Sequence, residues 1–371
     1  VQSTSPFYPE QALPEELVFG RQTELDLVEL RGARQVLEGR QAAFFLRGGR
    51  GIGKSSFARC AERTLALRYN FVQVHVSLNG VRQQSDLGAA VLAGVSRTVG
   101  AWHDLFAMLS RYVRGVSLLG VVELDLEAVR ADGPKVSRAE QVGALLERVR
   151  EQARAAGVVL VLDEIEVASR QDWLGGYLKA LWESDAALVG RLPLLMLVCG
   201  TLTDHEFIRR GHSSAARIWS VLELGALAPP DRIAVLADGF TRAGILPDPD
   251  ALARLARASL GHPAALQMLG NLAFWRSHGL LGDREVSQAL AAAPVEMTLK
   301  FLPAEVGSLP DAVLHALSGL LQSRPFGAPV DVGSIGTVLG ELTEALVTPM
   351  PSGRLALVDP MLEVYTALRV G

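Results

Sequence analysis

At 371 residues, the chain exceeds what one small core requires and suits two or three domains. Apolar residues make up 49% of it and charged ones 20%, which argues against disorder, and a net charge of −4 argues against a surface built throughout to hold nucleic acid. Cys60 and Cys199 are too few for a disulfide framework or a zinc site; both have apolar neighbours and read as reduced and buried. No apolar run reaches bilayer-spanning length and no secretory leader is visible, so no membrane partner is expected and the expected compartment is the cytoplasm. The sequence does begin at Val1 without a methionine.

In chain order, Pro6, Pro9 and Pro14 come first and hold an extended arm that could lie across a nucleotide base. Tyr8 reads either as a stacking residue there or as an aromatic packed within the arm. The stretch AAFFLRGGRGIGKSS, residues 42–56, then places a short apolar strand, a glycine loop and a helix in succession. Its pattern Gly48-x-x-x-x-Gly53-Lys54-Ser55 is a phosphate-binding loop. Gly48, Gly49, Arg50, Gly51, Ile52 and Gly53 would turn backbone N–H groups onto phosphate oxygens, and Ser56 would continue the positive helix N-terminus. Lys54 would reach the β- and γ-phosphates, and the Ser55 hydroxyl would ligate Mg²⁺. Only four lysines occur in the chain, so one inside this motif favours a chemical role.

After a strand in FVQVHVSLNG comes an insert at about 81–156, with a helical pattern over 102–115, a hairpin pattern over 116–129 and a charged helix over 138–157. Its charges nearly balance, which suits either a solvated decoration or a partner-binding element, not a basic clamp. GVVLVLDEIE, residues 157–166, reads as a strand buried on both faces that ends in Asp163 and Glu164. Asp163 is the expected Mg²⁺ carboxylate and Glu164 the residue that polarises the attacking water. A further strand ends at Thr201, and ARIWSVLEL reads as another with Arg217 at its start. Six histidines, among them His75 and His205, show no metal-ligand spacing and read as ordinary packing or surface residues.

These blocks, in this order, resemble the AAA+ P-loop ATPases, and within them the initiator-like and signalling (STAND) branches. LVFGRQTELDLV, residues 17–28, resembles the box that borders the adenine, which implies a binding role for Phe19, Gly20 and Arg21. Thr201 occupies the place of the polar sensor. LGHPAALQMLGNL, residues 260–272, resembles the G-x-P turn of the helical lid, which implies that His262 and Pro263 belong to the nucleotide site. The same turn lacks the sensor arginine of many hydrolytic members, which implies slow turnover. In these families an arginine at the fifth strand faces the γ-phosphate of a neighbouring subunit; Arg217 reads as that finger or as a surface arginine.

The tail shows helical patterns over 309–322 and 332–347 and two strands around Pro351-Ser352-Gly353, and it resembles a winged helix. Residues 300–371 carry four basic and seven acidic side chains, with Glu341 and Glu344 on the would-be recognition helix, so DNA binding by this module is not supported.

The expected architecture is α/β: an extended arm over 1–16 and a P-loop parallel sheet flanked by helices over 17–228, then a helical lid over 229–299 and a winged helix over 300–371. The expected activity is ATP binding and slow hydrolysis with ATP/ADP and Mg²⁺ as cofactors, in a switch that moves lid and winged helix and assembles with itself or a protein partner. The alternative is an initiator-like or DNA-remodelling ATPase stimulated by DNA; a small-molecule kinase is a distant third, since no acceptor pocket is recognisable.

Overall fold

The computed structural model describes residues 4–11, 18, 20–99, 138–183, 192–322, 324–327, 347–349, 355–357 and 359–370. Contacts divide the chain into two compact units, one of residues 23–47 and 58–222, the other of residues 1–22, 48–57 and 223–371.

The first unit is built on a five-stranded sheet. Helix α1 (Gln22–Val28), a π turn and the short α2 (Arg34–Leu37) lead into β1 (Ala42–Arg47). Helix α3 (Lys54–Tyr69) follows the glycine loop, then β2 (Phe71–Ser77) and α4 (Gln84–Val99). After α5 (Arg138–Ala153) come β3 (Gly157–Asp163), α6 (Trp173–Glu183), β4 (Leu194–Gly200), α7 (Leu202–Gly211) and β5 (Ser220–Glu223). The strand order is β2-β3-β4-β1-β5, with parallel pairing of β2 to β3, β3 to β4 and β4 to β1. Every residue of β3 and β4 is buried, the consequence of aliphatic runs covered on both sheet faces. Strand β2 departs from this pattern: Val72, Val74 and Val76 are buried, whereas Gln73, His75 and Ser77, on the other face, are not.

Two sequence expectations change here. The segment read as an insert contributes core helices at both ends. Leu87, Val91 and Val95 on α4 and Val142, Leu146 and Val149 on α5 recur at helical spacing and are buried in the same cluster as the sheet. They are therefore no solvated decoration; the patterns over 102–115 and 116–129 lie outside the described residues. The strand expected from Arg217 begins at Ser220 instead, because Ala215–Arg217 closes into a 3₁₀ turn. Cys199 is buried as expected, but Cys60 on the solvent side of α3 is only partly so.

The second unit is helical: α8 (Pro229–Arg242), α9 (Pro249–Ala258), α10 (Pro263–Phe274) and α11 (Asp283–Lys300), with a two-residue parallel bridge between β6 (Leu246–Pro247) and β7 (Leu280–Leu281). Helix α12 (Asp311–Gln322), the antiparallel pair β8 (Val347–Pro349) and β9 (Leu355–Leu357), and α13 (Met361–Val370) complete it. One apolar core runs through the unit, joining Leu266, Leu269 and Val286 to Leu314, Leu317, Leu362 and Tyr365. The second tail helix expected over 332–347 falls almost wholly outside the described residues.

The N-terminal arm belongs to this core through Phe7. Its ring lies 5.0 Å from that of Phe240, and a Cβ on either Gly239 or Gly270 would meet it at 2.6 Å. Tyr8 is left at the surface, with its N–H donating to Gln267 Oε1 at 3.0 Å. The arm is thus anchored by the residue before the one the sequence singles out.

Candidate nucleotide site

The phosphate loop follows Arg47, the last residue of β1, and ends where α3 begins at Lys54. Gly51 and Gly53 take φ values of +67° and +92°, which a side chain would strain. At Gly51 a Cβ would also lie 2.6 Å from the His262 ring. Lys54 Nζ donates to the Gly48 and Gly49 carbonyls at 3.0 and 2.8 Å, folding the ammonium over the loop it would use on phosphate. Ser55 is partly exposed, Ser56 and Ile52 are buried, and Arg50 is exposed. Arg21, buried, donates from Nη2 to the Ile52 and Gly225 carbonyls at 3.2 and 2.7 Å. It fastens the loop's backbone, a more specific task than bordering a base. Gly20 beside it has φ +67°, and a Cβ there would strike Asp231 at 2.5 Å. Phe19 lies outside the described residues.

His262 is fully buried and caps α10: its Nδ1 accepts from the Ala265 N–H at 3.2 Å. Nε2 must then carry the proton, and it donates to the Arg50 carbonyl at 2.9 Å. Both ring nitrogens are occupied, so His262 holds the phosphate loop to the start of α10 and neither nitrogen is free to bond a ligand. Pro263 stands at the first helical position, where its missing N–H costs nothing. Burial pushes the His262 imidazole down to about 4; the Arg50 carbonyl opposes this and the Lys54 charge adds to it.

A pH dependence follows. Above the unfolded value of about 6.5 the ring is neutral in both states and its contribution is complete. As pH falls from there towards 4 the unfolded chain takes a proton that the folded unit refuses, at a cost approaching about 3 kcal/mol. Denaturant titrations at pH 7 and pH 5 should show a smaller pH loss for His262→Asn than for the unsubstituted protein. An equal loss in both would place the titration elsewhere.

Asp359, from the tail, is pushed up by burial, while the Met361 N–H and the charges of Arg50 and Lys54 pull it the other way. Phe326 sets its ring 6.1 Å from that of His262. The loop's cations thus feel a carboxylate from the end of the chain.

The acidic residues sit in the sheet unit. Parallel pairing brings the carboxyl ends of β2 and β3 level, with Ser77 opposite Asp163. Asp163 is buried; its Oδ1 accepts from the Glu164 N–H at 3.0 Å. Glu164 takes φ +57°, a left-handed conformation that costs a non-glycine residue about 1–2 kcal/mol. Its carboxylate is exposed and accepts from the Ser77 hydroxyl. The Ser55 hydroxyl and Asp163 carboxylate are hard oxygen donors of the kind Mg²⁺ takes. Among the described residues no group of three His, Cys, Asp or Glu side chains could itself hold a metal.

Residues 17–190 match the family described as "AAA ATPase domain". Over these residues the chain carries an AAA ATPase domain with a P-loop. Its Walker-type fold is consistent with ATP hydrolysis. No curated protein matches the chain. Solved structures extend the likeness over the whole length. The ORC2 protein of Aeropyrum pernix, in its ADPNP–ADP complexes, is 14% identical, with TM-score 0.57 and coverage of 98% of this chain and 97% of that one. The Walker-type ATPase paby2304 of Pyrococcus abyssi is 15% identical, with TM-score 0.54 and coverage of 94% and 96%. The ORC1 protein of A. pernix in complex with DNA is 18% identical, with TM-score 0.51 and coverage of 99% and 97%. At these identities the likeness is one of fold.

In the sheet unit, Thr201 is the N-cap of α7. Its hydroxyl accepts from the Asp204 N–H at 3.2 Å and its own N–H donates to Asp204 Oδ2 at 2.8 Å, a capping box that Ser169 extends by donating to Asp204 Oδ1 at 2.7 Å. Thr-x-x-Asp is visible in the sequence and signals such a cap. Arg217 is exposed. Sequence reasoning missed Ser77, and it missed His75 and Glu62, whose carboxylate accepts from His75 Nδ1–H at 2.9 Å. The signal was the alternation Val72-Gln73-Val74-His75-Val76-Ser77, which sets three polar side chains on one face of β2, the face that reaches Asp163 at its end.

Proposed function

We propose that this chain is an ATP-operated switch of initiator-like architecture, which hydrolyses slowly and moves its helical lid and tail module with the state of the nucleotide. The observation that carries this reading is the attachment of the phosphate loop to residues far along the chain. His262 holds the Arg50 carbonyl, and Asp359 senses the Arg50 and Lys54 charges. A triphosphate entering the loop would draw Lys54 off the Gly48 and Gly49 carbonyls and bring negative charge towards Asp359. Residues 300–371 would form the winged-helix module. The whole-length fold likeness to the ORC proteins favours the initiator-like branch over the signalling one. Mg²⁺ would be held by Ser55 and Asp163, and assembly with further copies or a protein partner would complete the site.

A second reading takes DNA as the partner that stimulates hydrolysis, and the solved ORC1 structure with DNA favours it. Against direct contact by the tail stands its excess of seven acidic over four basic side chains. ATPase rate measured against protein concentration, with and without duplex DNA, separates the two. The switch reading expects a low rate that rises with concentration and changes less than about twofold with DNA. A DNA-dependent rise of tenfold or more, lost at high salt, would replace it with the second reading, and no ATP turnover under any condition would remove both.

A further inference from the structure

From the polar row on β2 we infer that His75, backed by buried Glu62, is a positioning residue for Asp163. Glu62 lies on α3 and is 4% exposed. Among the described residues its Oε1 has no hydrogen-bond partner, and its Oε2 accepts from His75 Nδ1–H at 2.9 Å. A carboxylate is not kept in such a place without return, since burying one with incomplete partners costs several kcal/mol. The backbone that carries the pair is held as well. Gln73 Nε2 donates to the Glu62 carbonyl at 3.1 Å, locking α3 against β2, and Arg97 donates to the His75 carbonyl at 2.9 Å.

The fixed ring presents its other nitrogen to the acidic pair. Nε2 stands 3.8 Å from Asp163 Oδ2, too far for a direct hydrogen bond and close enough to fill the sector into which that carboxylate would turn. The Glu164 N–H holds Oδ1 on the opposite side. Asp163 is thus confined at both oxygens, by its neighbour's backbone and by the imidazole. A fold-only pairing of α3 with β2 would be satisfied by Gln73 and would not need an imidazole whose far edge meets the carboxylate.

This inference rests on the reading of Asp163 as the Mg²⁺ carboxylate, and the test separates the two. Binding of a fluorescent ATP analogue to the full chain is measured in EDTA and in Mg²⁺, and the ratio of the two affinities is the readout. Asp163→Ala should bring the ratio close to one. Outer residues that orient a ligand typically contribute 10- to 100-fold in metal affinity. His75→Ala should therefore lower the ratio by roughly tenfold and leave the EDTA affinity within about twofold. Added to Asp163→Ala it should change nothing further, the sign that it acts through that residue. Glu62→Ala, which frees the ring without touching its far edge, should repeat the His75→Ala result and serves if the latter fails to fold. A full Mg²⁺ ratio in both single variants would overturn the positioning role while the site stands. A ratio unaffected by Asp163→Ala would instead overturn the metal assignment.

Discussion

Lys54→Ala is expected to weaken ATP binding by roughly 100-fold or more, and Glu164→Gln to leave binding intact while lowering turnover by roughly 10²- to 10⁴-fold. The two effects differ because the two groups meet the substrate at different stages. Lys54 is the only ammonium on the loop, and charge-assisted hydrogen bonds to phosphate contribute about 1.5–3 kcal/mol each. It also bonds the Gly48 and Gly49 carbonyls, so the variant loosens the loop it leaves behind. Glu164 contributes nothing to the loop. Its carboxylate is exposed and held by Ser77; in the proposed mechanism it would orient and deprotonate a water, and an amide of the same shape would keep the contact without the basicity. Equilibrium binding and single-turnover hydrolysis check both expectations. Unchanged affinity in the first variant, or unchanged turnover in the second, would sink the assignment of that residue.

The phosphate loop was legible because its constraints are local: glycines at positions needing positive φ, a lysine, and a helix beginning at once. Strands β3 and β4 were legible because burial on both faces leaves an unbroken aliphatic run. What could not be read was whatever depends on meeting across the chain. The His262 bond to the Arg50 carbonyl joins residues 212 apart, and no periodicity announces it. The family likeness placed His262 at the nucleotide site; what it could not give is that the ring joins the Ala265 N–H of α10 to the Arg50 carbonyl of the phosphate loop. Helix α5 was read as a helix but not as core, because its apolar residues recur every third or fourth position among many charges and a charged helix reads as a surface one; α4, with only Asp86 and Arg97 charged, was not singled out within the insert. Thr201 carried a second local signal that went unread, since a threonine three residues before an aspartate also states a helix cap.

Arg217→Ala is expected to abolish the rise of specific activity with protein concentration while leaving ATP affinity unchanged. The residue ends a 3₁₀ turn directly before β5, and it is exposed, as a group that acts on another subunit must be. Arginine suits that task because its planar, always-charged guanidinium reaches two phosphate oxygens at once. In the proposed assembly it would stabilise the charge that develops on the transferred phosphoryl group of a neighbour. Such a group supplied in trans is worth ~10³-fold or more in rate. A dilute monomer should then be nearly inert, and activity should climb as copies associate. Mixing Arg217→Ala with Lys54→Ala provides the stricter measurement. Each is inactive alone by this account, yet a mixed interface pairs an intact phosphate loop from the first with an intact arginine from the second. Recovered turnover on mixing would establish action in trans. Activity independent of concentration, with Arg217→Ala indistinguishable from the unsubstituted chain, would leave it a surface arginine at the head of a strand.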